Sequence, residues 1–257
     1  MNIIIAGYGF VGKAVANAIK AHHNLHIVDP QYSTAEVQHF PRSEGIIICV
    51  DTPSKSNGEC DDSKIRNVIE QTPIYLPILI KSTVLPDQLV QIEKDFPKHN
   101  ICYSPEFLRD ATANKDFLEQ KYMVIGGEDP ESFWQVLFQK ALPNCKLIFK
   151  CTNTEASTIK YTANAFLSTK VAFFNQIYDL CEANGADYDL VRQILTHDIR
   201  IGNSHTLVPG IDGRRGFGGK CFPKDTKAFR KYAYGLNKPI TILDSAMDYN
   251  ETVRKDY

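Results

Sequence analysis

The amino-terminal residues constrain the fold of this chain more than any other segment. Asn2–Ala6 is an apolar run typical of a buried β-strand, and a glycine-rich turn, Gly7–Gly12, follows it directly. Glycines at these spacings permit a tight turn, let the backbone approach a pyrophosphate, and allow the next helix to pack closely on the strand. A helix is predicted over Lys13–Ala21, and its amino terminus would offer free N–H groups to phosphates. The predicted contacts to a dinucleotide are Gly7, Tyr8, Gly9, Phe10, Val11 and Gly12.

The second predicted strand ends in an acidic residue. Leu25–Val28 is the next apolar run, and Asp29 follows it. A carboxylate about 20 residues beyond such a glycine turn hydrogen-bonds the ribose hydroxyls of the dinucleotide. The same negative charge would repel a 2'-phosphate, so Asp29 favours NAD over NADP as the cofactor.

Residues 1–151 alternate short apolar runs with helical or turn segments, which predicts a Rossmann-like α/β domain with a doubly wound parallel sheet. Polar clusters follow the apolar runs, at the carboxyl ends of strands where ligands bind in this architecture. The interval between Asp29 and Gly45 is too short for both a full helix and another strand, so this half of the sheet is predicted to be abbreviated. The further strands are predicted at Gly45–Val50, Ile78–Ile80, Asn100–Tyr103 and Met123–Ile125.

The pattern then changes, and residues 152–257 are predicted to form an all-α domain. Thr152 and Glu155 fit a capping box at the start of a helix that runs to Asn184, with Gly185 as its stop. Such a helix would be about 45 Å long. Its apolar face needs a partner, which burial between two subunits would supply. Shorter helices are predicted over Tyr188–Thr196, Thr226–Tyr234 and Thr241–Lys255.

A second glycine-rich segment, Gly216–Asp225, carries one cysteine. Lys220 and Lys224 flank Cys221, and neighbouring cations lower the pKa of a cysteine, which favours the nucleophilic thiolate. Such a thiolate could attack an aldehyde and hold it covalently while hydride is removed. The alternative is a small buried cysteine in a tight turn, since free cysteine is among the most buried residue types.

Composition argues against several classes of protein. The 257 residues carry a net charge of -1, which gives no electrostatic reason to expect nucleic acid or an anionic membrane as a partner. No apolar run approaches the roughly 20 residues that span a bilayer, and the amino terminus lacks the basic segment of a signal peptide. Seven cysteines without metal-ligand spacing predict reduced thiols in the cytoplasm and no metal site. The predicted packing cysteines are Cys49, Cys102 and Cys181.

Six segments stand in an order that is specific to one enzyme family. They are Gly7–Gly12, Val50–Pro53, Lys81–Val84, Ser104–Arg109, Glu155–Leu167, and Arg200–Gly202 leading to Gly216–Asp225. On these segments, which span nearly the whole chain, the sequence resembles the UDP-glucose/GDP-mannose dehydrogenase family. The resemblance implies an NAD-binding domain followed by a helical dimerisation domain with a long helix.

The resemblance also implies a reaction. It is a four-electron oxidation of the C6 alcohol of a nucleotide sugar to a carboxylate, as from UDP-glucose to UDP-glucuronate, with two NAD molecules reduced. A cysteine adds to the intermediate aldehyde, the thiohemiacetal loses a second hydride, and water cleaves the thioester. The implied catalytic residues are the nucleophile Cys221, the oxyanion stabiliser Lys160, the donor Asn164, the water-positioning Asp225 with Thr83, and the acid–base carboxylate Glu106.

Binding residues and a homodimer follow from the same resemblance. The added cofactor contacts are Thr52, Thr83 and Lys224. The implied substrate contacts are Glu106, Phe107, Leu108, Arg109, Asp110, Lys160, Asn164, Arg200 and Gly218, with backbone near Gly210–Arg214. The nucleotide sugar is the expected partner, and the dimer is expected to form through the long helix. Arg200 would then reach the sugar nucleotide of the neighbouring subunit.

Each of these side chains also has a simpler structural interpretation. Lys160 alone would be a solvated helix lysine and Asn164 a surface or capping residue, because such side chains are mostly exposed. Glu106 could simply start a helix. Asp225 could cap the amino terminus of the helix after it, and Arg200 could form a surface salt bridge.

Three features depart from the family. Asp110 stands where the family usually has glutamate, and the sheet after Asp29 is shorter. Relatives continue beyond the position of Tyr257 into a second nucleotide-binding-like domain, so these 257 residues are expected to lack the UDP contacts of that domain. Two other functions stay open: oxidation of another nucleotide sugar or a simpler sugar alcohol, and a non-catalytic NAD-binding or dimerisation module.

Overall fold

The structure is a computed structural model that describes residues 1–55 and 59–255. The chain divides into two compact units. The first consists of Met1–Pro53 and Cys60–Lys160, and the second of the described residues within Ser54–Glu59 and Tyr161–Tyr257. In the part of the chain that the structure describes, no helix is long and apolar enough to cross a membrane.

A seven-stranded sheet forms the centre of the first unit, with strands in the order β2-β1-β3-β4-β5-β6-β7. The strands are β1 (Asn2–Ala6), β2 (Asn24–Val28), β3 (Gly45–Ile48), β4 (Ile78–Ile80), β5 (Ile101–Tyr103), β6 (Tyr122–Gly126) and β7 (Leu147–Cys151). All neighbours run parallel except β5 and β6, which are antiparallel. This one reversed pairing differs from the parallel sheet that the sequence predicts, because an apolar run specifies a buried strand but not its direction.

The two edges of the sheet can be compared with the prediction. β7 is not among the predicted strands, because its short apolar run is interrupted by Lys150 and it lies at the sheet edge with Leu147 and Phe149 exposed. At the other edge, the described chain between Asp29 and Gly45 forms a 3₁₀ turn at Val37–His39 and no strand. The abbreviated half of the sheet is therefore confirmed, and β1 pairs directly with both β2 and β3.

Alternate residues of the strands point to opposite faces of the sheet and build two cores. In β1, Ile3 and Ile5 pack in one core while Ile4 and Ala6 pack in the other. The helices of this unit are α1 (Phe10–Ile19), α2 (Ser63–Gln71), α3 (Pro86–Asp95), α4 (Ala113–Glu119) and α5 (Phe133–Ala141). Residues of α1, α4 and α5 join the first core, and residues of α2 and α3 join the second. The predicted doubly wound α/β architecture is therefore confirmed.

Helices follow the sheet, as predicted. They are α6 (Asn153–Asn184), α7 (Tyr188–Thr196), α8 (Phe222–Gly235) and α9 (Thr241–Val253). The capping box is formed: the Thr152 N–H donates to Glu155 Oε2 at 2.7 Å, and the Glu155 N–H donates to Thr152 Oγ1 at 3.1 Å. Gly185 ends α6 with φ of 77°, the left-handed conformation that glycine adopts without strain.

Three helices have bounds that differ from the prediction, and the first is α1, which covers Phe10–Ile19 rather than Lys13–Ala21. α8 begins at Phe222 rather than Thr226, because Pro223 lies in the first turn, where its missing N–H removes no helical hydrogen bond. α9 ends at Val253 rather than Lys255. The earlier start of α8 places Cys221 at its amino-terminal cap position.

Candidate active site

The glycine turn between β1 and α1 brings three pieces of backbone close together. Gly7 has φ of 90°, and a Cβ there would lie 2.6 Å from the carbonyl carbon of Cys49. A Cβ on Gly12 would lie 2.1 Å from the Gly7 oxygen. Around Gly9, by contrast, a Cβ would meet no atom within 4 Å. The open space over Gly9, at the amino terminus of α1, fits a bound pyrophosphate.

Asp29, at the end of β2, is joined to the same turn. Its Oδ2 accepts a hydrogen bond from the Tyr8 N–H at 2.6 Å, and its Oδ1 accepts one from the Gln31 N–H at 2.9 Å. The carboxylate is half-buried and is held in place by two backbone donors. It can therefore offer its remaining lone pairs to ribose hydroxyls, as the sequence predicts.

Hydrogen bonds join the segments that follow β3 and β4. Thr52 Oγ1 donates to the Thr83 carbonyl at 2.9 Å, and Cys60 Sγ donates to the same oxygen at 3.2 Å. Ser82 Oγ donates to the Val50 carbonyl at 2.7 Å. Both predicted threonines therefore lie at the carboxyl-end edge of the sheet, where cofactors bind in this architecture.

Two glycine substitutions separate folding from cofactor binding. Gly12→Ala is expected to destabilise the fold by about 1–3 kcal/mol, because its Cβ overlaps backbone atoms that cannot move away freely. Gly9→Ala is expected to keep wild-type stability, since its Cβ enters open space, yet to weaken NAD binding. Urea unfolding and calorimetric titration with NAD measure the two effects. Equal NAD affinity of Gly9→Ala and wild type would rule out this location for the pyrophosphate.

A buried ion pair follows β5. The side chains of Glu106 and Lys160 are each 4% exposed, and Lys160 Nζ lies 3.0 Å from Glu106 Oε1. Nζ also donates to the Glu106 carbonyl at 2.6 Å, and Glu106 Oε2 accepts from the Leu108 N–H at 2.6 Å. Buried charges persist only where such partners replace water. The simpler interpretations, a solvated Lys160 and a helix-starting Glu106, are therefore wrong.

The residues after this carboxylate form a polar segment of the first unit. Lys160 Nζ lies 5.7 Å from the centre of the Phe107 ring. Arg109 is exposed and its guanidinium bonds Asp116, which lowers the pKa of that carboxyl to about 2. Asp110 begins a 3₁₀ turn. Within this predicted substrate segment, Glu106 is the residue whose side chain is fixed in the interior.

In the second unit, Asp225 is the buried counterpart of that carboxylate. It is 1% exposed, lies in the first turn of α8, and its Oδ2 accepts from Asn164 Nδ2 at 2.6 Å. Lys224 Nζ lies 2.8 Å from Asp225 Oδ1. Because Asp225 lies inside the helix and Asn164 is buried, the capping interpretation of Asp225 and the surface interpretation of Asn164 are both wrong.

The loop that leads to Cys221 is held by residues that the sequence reasoning missed. Asn250 on α9 binds both backbone groups of Phe217: its Oδ1 accepts from the N–H at 2.7 Å and its Nδ2 donates to the carbonyl at 3.0 Å. Asn175 Oδ1 on α6 accepts from the Gly216 N–H at 3.0 Å. For Asn250 the available signal was an asparagine among the apolar residues Leu243, Ala246 and Met247 on one face of α9.

Gly218 packs against the guanidinium of a buried arginine. A Cβ on Gly218 would lie 2.2 Å from the guanidinium carbon of Arg254, another residue that the sequence reasoning missed. Arg254 in turn forms an ion pair with Asp212 at 2.7 Å. The adjacent predicted loop closes through the Gly210 N–H, which donates to the Arg214 carbonyl at 2.8 Å. Close packing against Arg254 therefore favours a residue without a side chain at position 218.

Two further predicted residues are more accessible. Cys221 is half-buried at the amino terminus of α8, where the helix dipole favours negative charge. Arg200 is exposed and pairs with Asp198 at the surface, as its simpler interpretation predicts. Cys49, Cys102 and Cys181 are buried, which confirms the predicted packing role of these three.

Asn164→Ala tests how strongly the buried Asp225 depends on its donor. Removing a partner from a buried charged group is expected to cost about 1–3 kcal/mol in the free energy of unfolding. Gln176→Ala changes an exposed residue of the same helix and is the matched control, with an expected effect near zero. Urea unfolding measures both. Equal stabilities of the two variants would contradict the contribution assigned to this hydrogen bond.

Comparison with known proteins identifies the family of this chain. Residues 31–142 match the NAD binding domain of the UDP-glucose/GDP-mannose dehydrogenase family, and residues 154–252 match its central domain. The chain belongs to this family. The NAD-binding domain indicates NAD as the cofactor, which confirms the prediction made from the glycine turn and Asp29. The glycine turn itself precedes the matched residues.

Relatives and structural neighbours carry related names. The chain is 35% identical over 225 residues to a UDP-glucose 6-dehydrogenase of Rickettsia bellii, covering 83% of this chain and 50% of the relative. It is 34% identical over 223 residues to the UDP-glucose 6-dehydrogenase TuaD of Bacillus subtilis, covering 82% and 47%. A UDP-glucose dehydrogenase from Pyrobaculum islandicum shares the fold, with a TM-score of 0.83 at 23% identity, over 98% of this chain and 68% of that one. The chain spans about half the length of the curated relatives it matches.

Proposed function

We propose that this chain takes part in the NAD-dependent oxidation of the C6 alcohol of a nucleotide sugar, UDP-glucose, to the carboxylate. The observation that carries the proposal is the buried hydrogen bond between Asn164 and Asp225, which lies in the first turn of α8, the helix with Cys221 at its amino-terminal cap position. A domain that only bound NAD or another subunit would not need a buried, charged acceptor beside a half-buried cysteine. Membership of a dehydrogenase family supports the same conclusion.

The proposed chemistry follows from the groups in place. NAD, when bound, accepts hydride. The C6 alcohol first loses its hydroxyl proton and a hydride from carbon, which gives the aldehyde. The Cys221 thiolate then forms a bond to the aldehyde carbon, and the carbonyl oxygen takes a proton to give a thiohemiacetal. Loss of a second hydride from that carbon, together with the hydroxyl proton, gives a thioester. Attack of water on the thioester then breaks the C–S bond, which releases the carboxylate and restores the thiol.

The neighbouring residues have roles that suit their hydrogen bonds. Lys160 directs donors to the carbonyl and the carboxylate of Glu106, and an ammonium has three, so a further N–H is available for a developing oxyanion. Asn164 gives one N–H of its amide to Asp225 and keeps a second for the substrate oxygen. We assign the positioning of water to Asp225 with Thr83, and proton transfer to Glu106.

Binding roles follow the same division. For the cofactor, we propose the glycine turn, Asp29, Thr52, Thr83 and Lys224. For the substrate, we propose the Glu106–Asp110 segment with Lys160, Asn164, Arg200 and Gly218. UDP-glucose is proposed because the relatives named above are UDP-glucose 6-dehydrogenases. A panel that includes other UDP- and GDP-sugars tests this choice directly.

The ratio of NADH formed to sugar consumed tests the reaction. Two NADH for each sugar are expected from wild type if the thioester route operates, whereas one NADH indicates a simple alcohol dehydrogenase and none indicates a binding module. Cys221→Ser is expected to bind NAD with wild-type affinity but to form no acid, because it lacks the thiolate. Cys151→Ser, which changes another half-buried thiol, is the control. Normal acid formation by Cys221→Ser would remove the cysteine from the mechanism.

We further propose a homodimer that forms through α6. Ile159, Phe166, Phe173 and Leu180 are exposed on this helix at intervals of seven residues. Apolar residues at this spacing form one stripe along a helix, the pattern by which two helices pack against each other. Phe166 is 66% exposed and Phe173 55% exposed, so a second copy would remove large apolar side chains from water. In that dimer, Arg200 is proposed to reach the nucleotide sugar of the other subunit.

Phe173→Glu tests the dimer. A buried aromatic anchor at an interface contributes about 2 kcal/mol or more, so the dimer Kd is expected to rise by about thirtyfold or more. Tyr75→Glu removes an exposed aromatic ring from the first unit and serves as the control. Sedimentation over a range of concentrations measures both. An unchanged dimer Kd for Phe173→Glu would show that this stripe is not the interface.

A cytoplasmic location is proposed on the state of the thiols. None of the seven cysteines, all of which lie in the described part of the chain, forms a disulfide. Oxidising compartments favour disulfides, whereas the cytosol keeps thiols reduced. A reduced Cys221 is also what the proposed mechanism requires.

A further inference from the structure

Lys81, the first residue after β4, is a buried cation to which the mechanism above gives no role. It is 2% exposed. Its Nζ donates to the carbonyl of Ser104 at 3.0 Å and to Oγ of the same residue at 3.1 Å. The rings of Phe117 and Phe138 lie 5.7 and 5.9 Å from Nζ. A cation thus lies among aromatic rings at the carboxyl-end edge of the sheet.

Fold stability does not explain a lysine at this position. Burial lowers the pKa of Lys81 from 10.5 to about 8, which means that the folded protein disfavours its charge. Both oxygens of Ser104 that it binds are neutral. A methionine of similar length would fill the same apolar surroundings without desolvating an ammonium group, and such replacements of buried charges are often neutral or stabilising.

The hydrogen bonds of Lys81 lead directly to the buried ion pair. Ser104 is also tied to β4, because its N–H donates to the Ile80 carbonyl at 2.9 Å. Pro105 follows with a restricted φ. Glu106, the next residue, accepts from Lys160 through its carbonyl and its carboxylate. Lys81 therefore fixes one end of a three-residue turn whose other end holds Lys160.

The charges of these groups act on one another. Glu106 raises the pKa of Lys81 and Lys160 lowers it, while Cys49 also raises it. Burial raises the pKa of the Cys49 thiol to about 12, so Cys49 is neutral near pH 7. Two cations and one carboxylate remain. Because Coulomb interactions are mutual, the charge of Lys81 acts equally on the Glu106–Lys160 pair.

We propose that Lys81 is a positioning residue, which holds the Ser104–Glu106 turn and thereby sets the place and the electrostatic surroundings of the Glu106–Lys160 pair. The functional part of this inference rests on the proposed dehydrogenase activity. Its structural part can be tested without any activity, so the failure of one is distinguishable from the failure of the other.

The first experiment uses NMR of lysines labelled with ¹³C at Cε. Lys81→Met identifies the Lys81 signal by its loss, and Lys160→Met identifies that of Lys160 in the same way. In wild type, the Lys81 signal is expected to titrate near pH 8. In Lys81→Met, the Lys160 signal is expected to shift, whereas Lys98→Met, which removes an exposed lysine, leaves it in place. An unmoved Lys160 signal in Lys81→Met overturns the proposal, whether or not the protein oxidises a sugar.

The second experiment compares stability with activity. Near pH 7, Lys81→Met is expected to melt at the wild-type temperature or above. This difference is expected to close between pH 8 and 10.5, because the folded wild type sheds its lysine proton near pH 8 while the unfolded chain keeps it to about 10.5. A lower melting temperature for Lys81→Met across this range would show that the lysine only supports the fold.

Lys81→Met is expected to lose activity although it keeps or gains thermal stability. The kcat of Lys81→Met should fall by about tenfold to a hundredfold, the loss that a slightly misplaced catalytic group produces. The KM for NAD should stay constant, and the change in kcat/KM that is expected for wild type near pH 8 should be absent from Lys81→Met. Wild-type kcat and an unchanged pH profile in Lys81→Met overturn the proposal. An inactive wild type instead refutes the dehydrogenase function, and the NMR experiment then decides the role of Lys81.

Discussion

Burial of charge at the carboxyl ends of β4 and β5 is the constraint on which the site of the first unit depends. Lys81, Glu106 and Lys160 all lie in the interior there, and charges removed from water persist only where hydrogen-bond partners replace it. Ser104 accepts from Lys81, and Glu106 accepts from Lys160 through two of its oxygens. The turn between them is therefore held by charged hydrogen bonds, which require defined distances, rather than by apolar contacts, which do not.

The long helix α6 places two polar residues of the proposed site on one face. Lys160 and Asn164 are separated by one helical turn and lie on the same face. Each is buried and each binds a carboxylate: Lys160 binds Glu106, and Asn164 binds Asp225. The stripe of Ile159, Phe166, Phe173 and Leu180 on the same helix is apolar and yet exposed to water. The same helix therefore has buried polar side chains and exposed apolar side chains. We propose a catalytic role for the first group and a dimer interface for the second.

Local sequence patterns predicted many helices and strands of this protein. They did not predict the direction of one strand or the hydrogen bonds between residues far apart in the sequence. The run Asn2–Ala6 and the helix Tyr188–Thr196 have the predicted bounds because periodicity and flanking turn residues are local properties. The reversed direction of β6 depends on the path of the chain and has no local signal. Asn175 and Asn250 were missed because an asparagine within a helical pattern usually faces solvent, whereas here each binds the backbone of the loop before Cys221.

The sequence by itself determined the nucleotide-binding turn, the choice of NAD, the class of fold and the set of chemically capable residues, because each depends on residue type and short spacing. Only the tertiary structure decided which of those residues are charged groups held in the interior. Glu106 and Lys160 are 54 positions apart, and Asn164 and Asp225 are 61 apart. No local pattern reports such pairings, because the cost of burying a charge and the hydrogen bonds that offset it exist only once the folded chain excludes water.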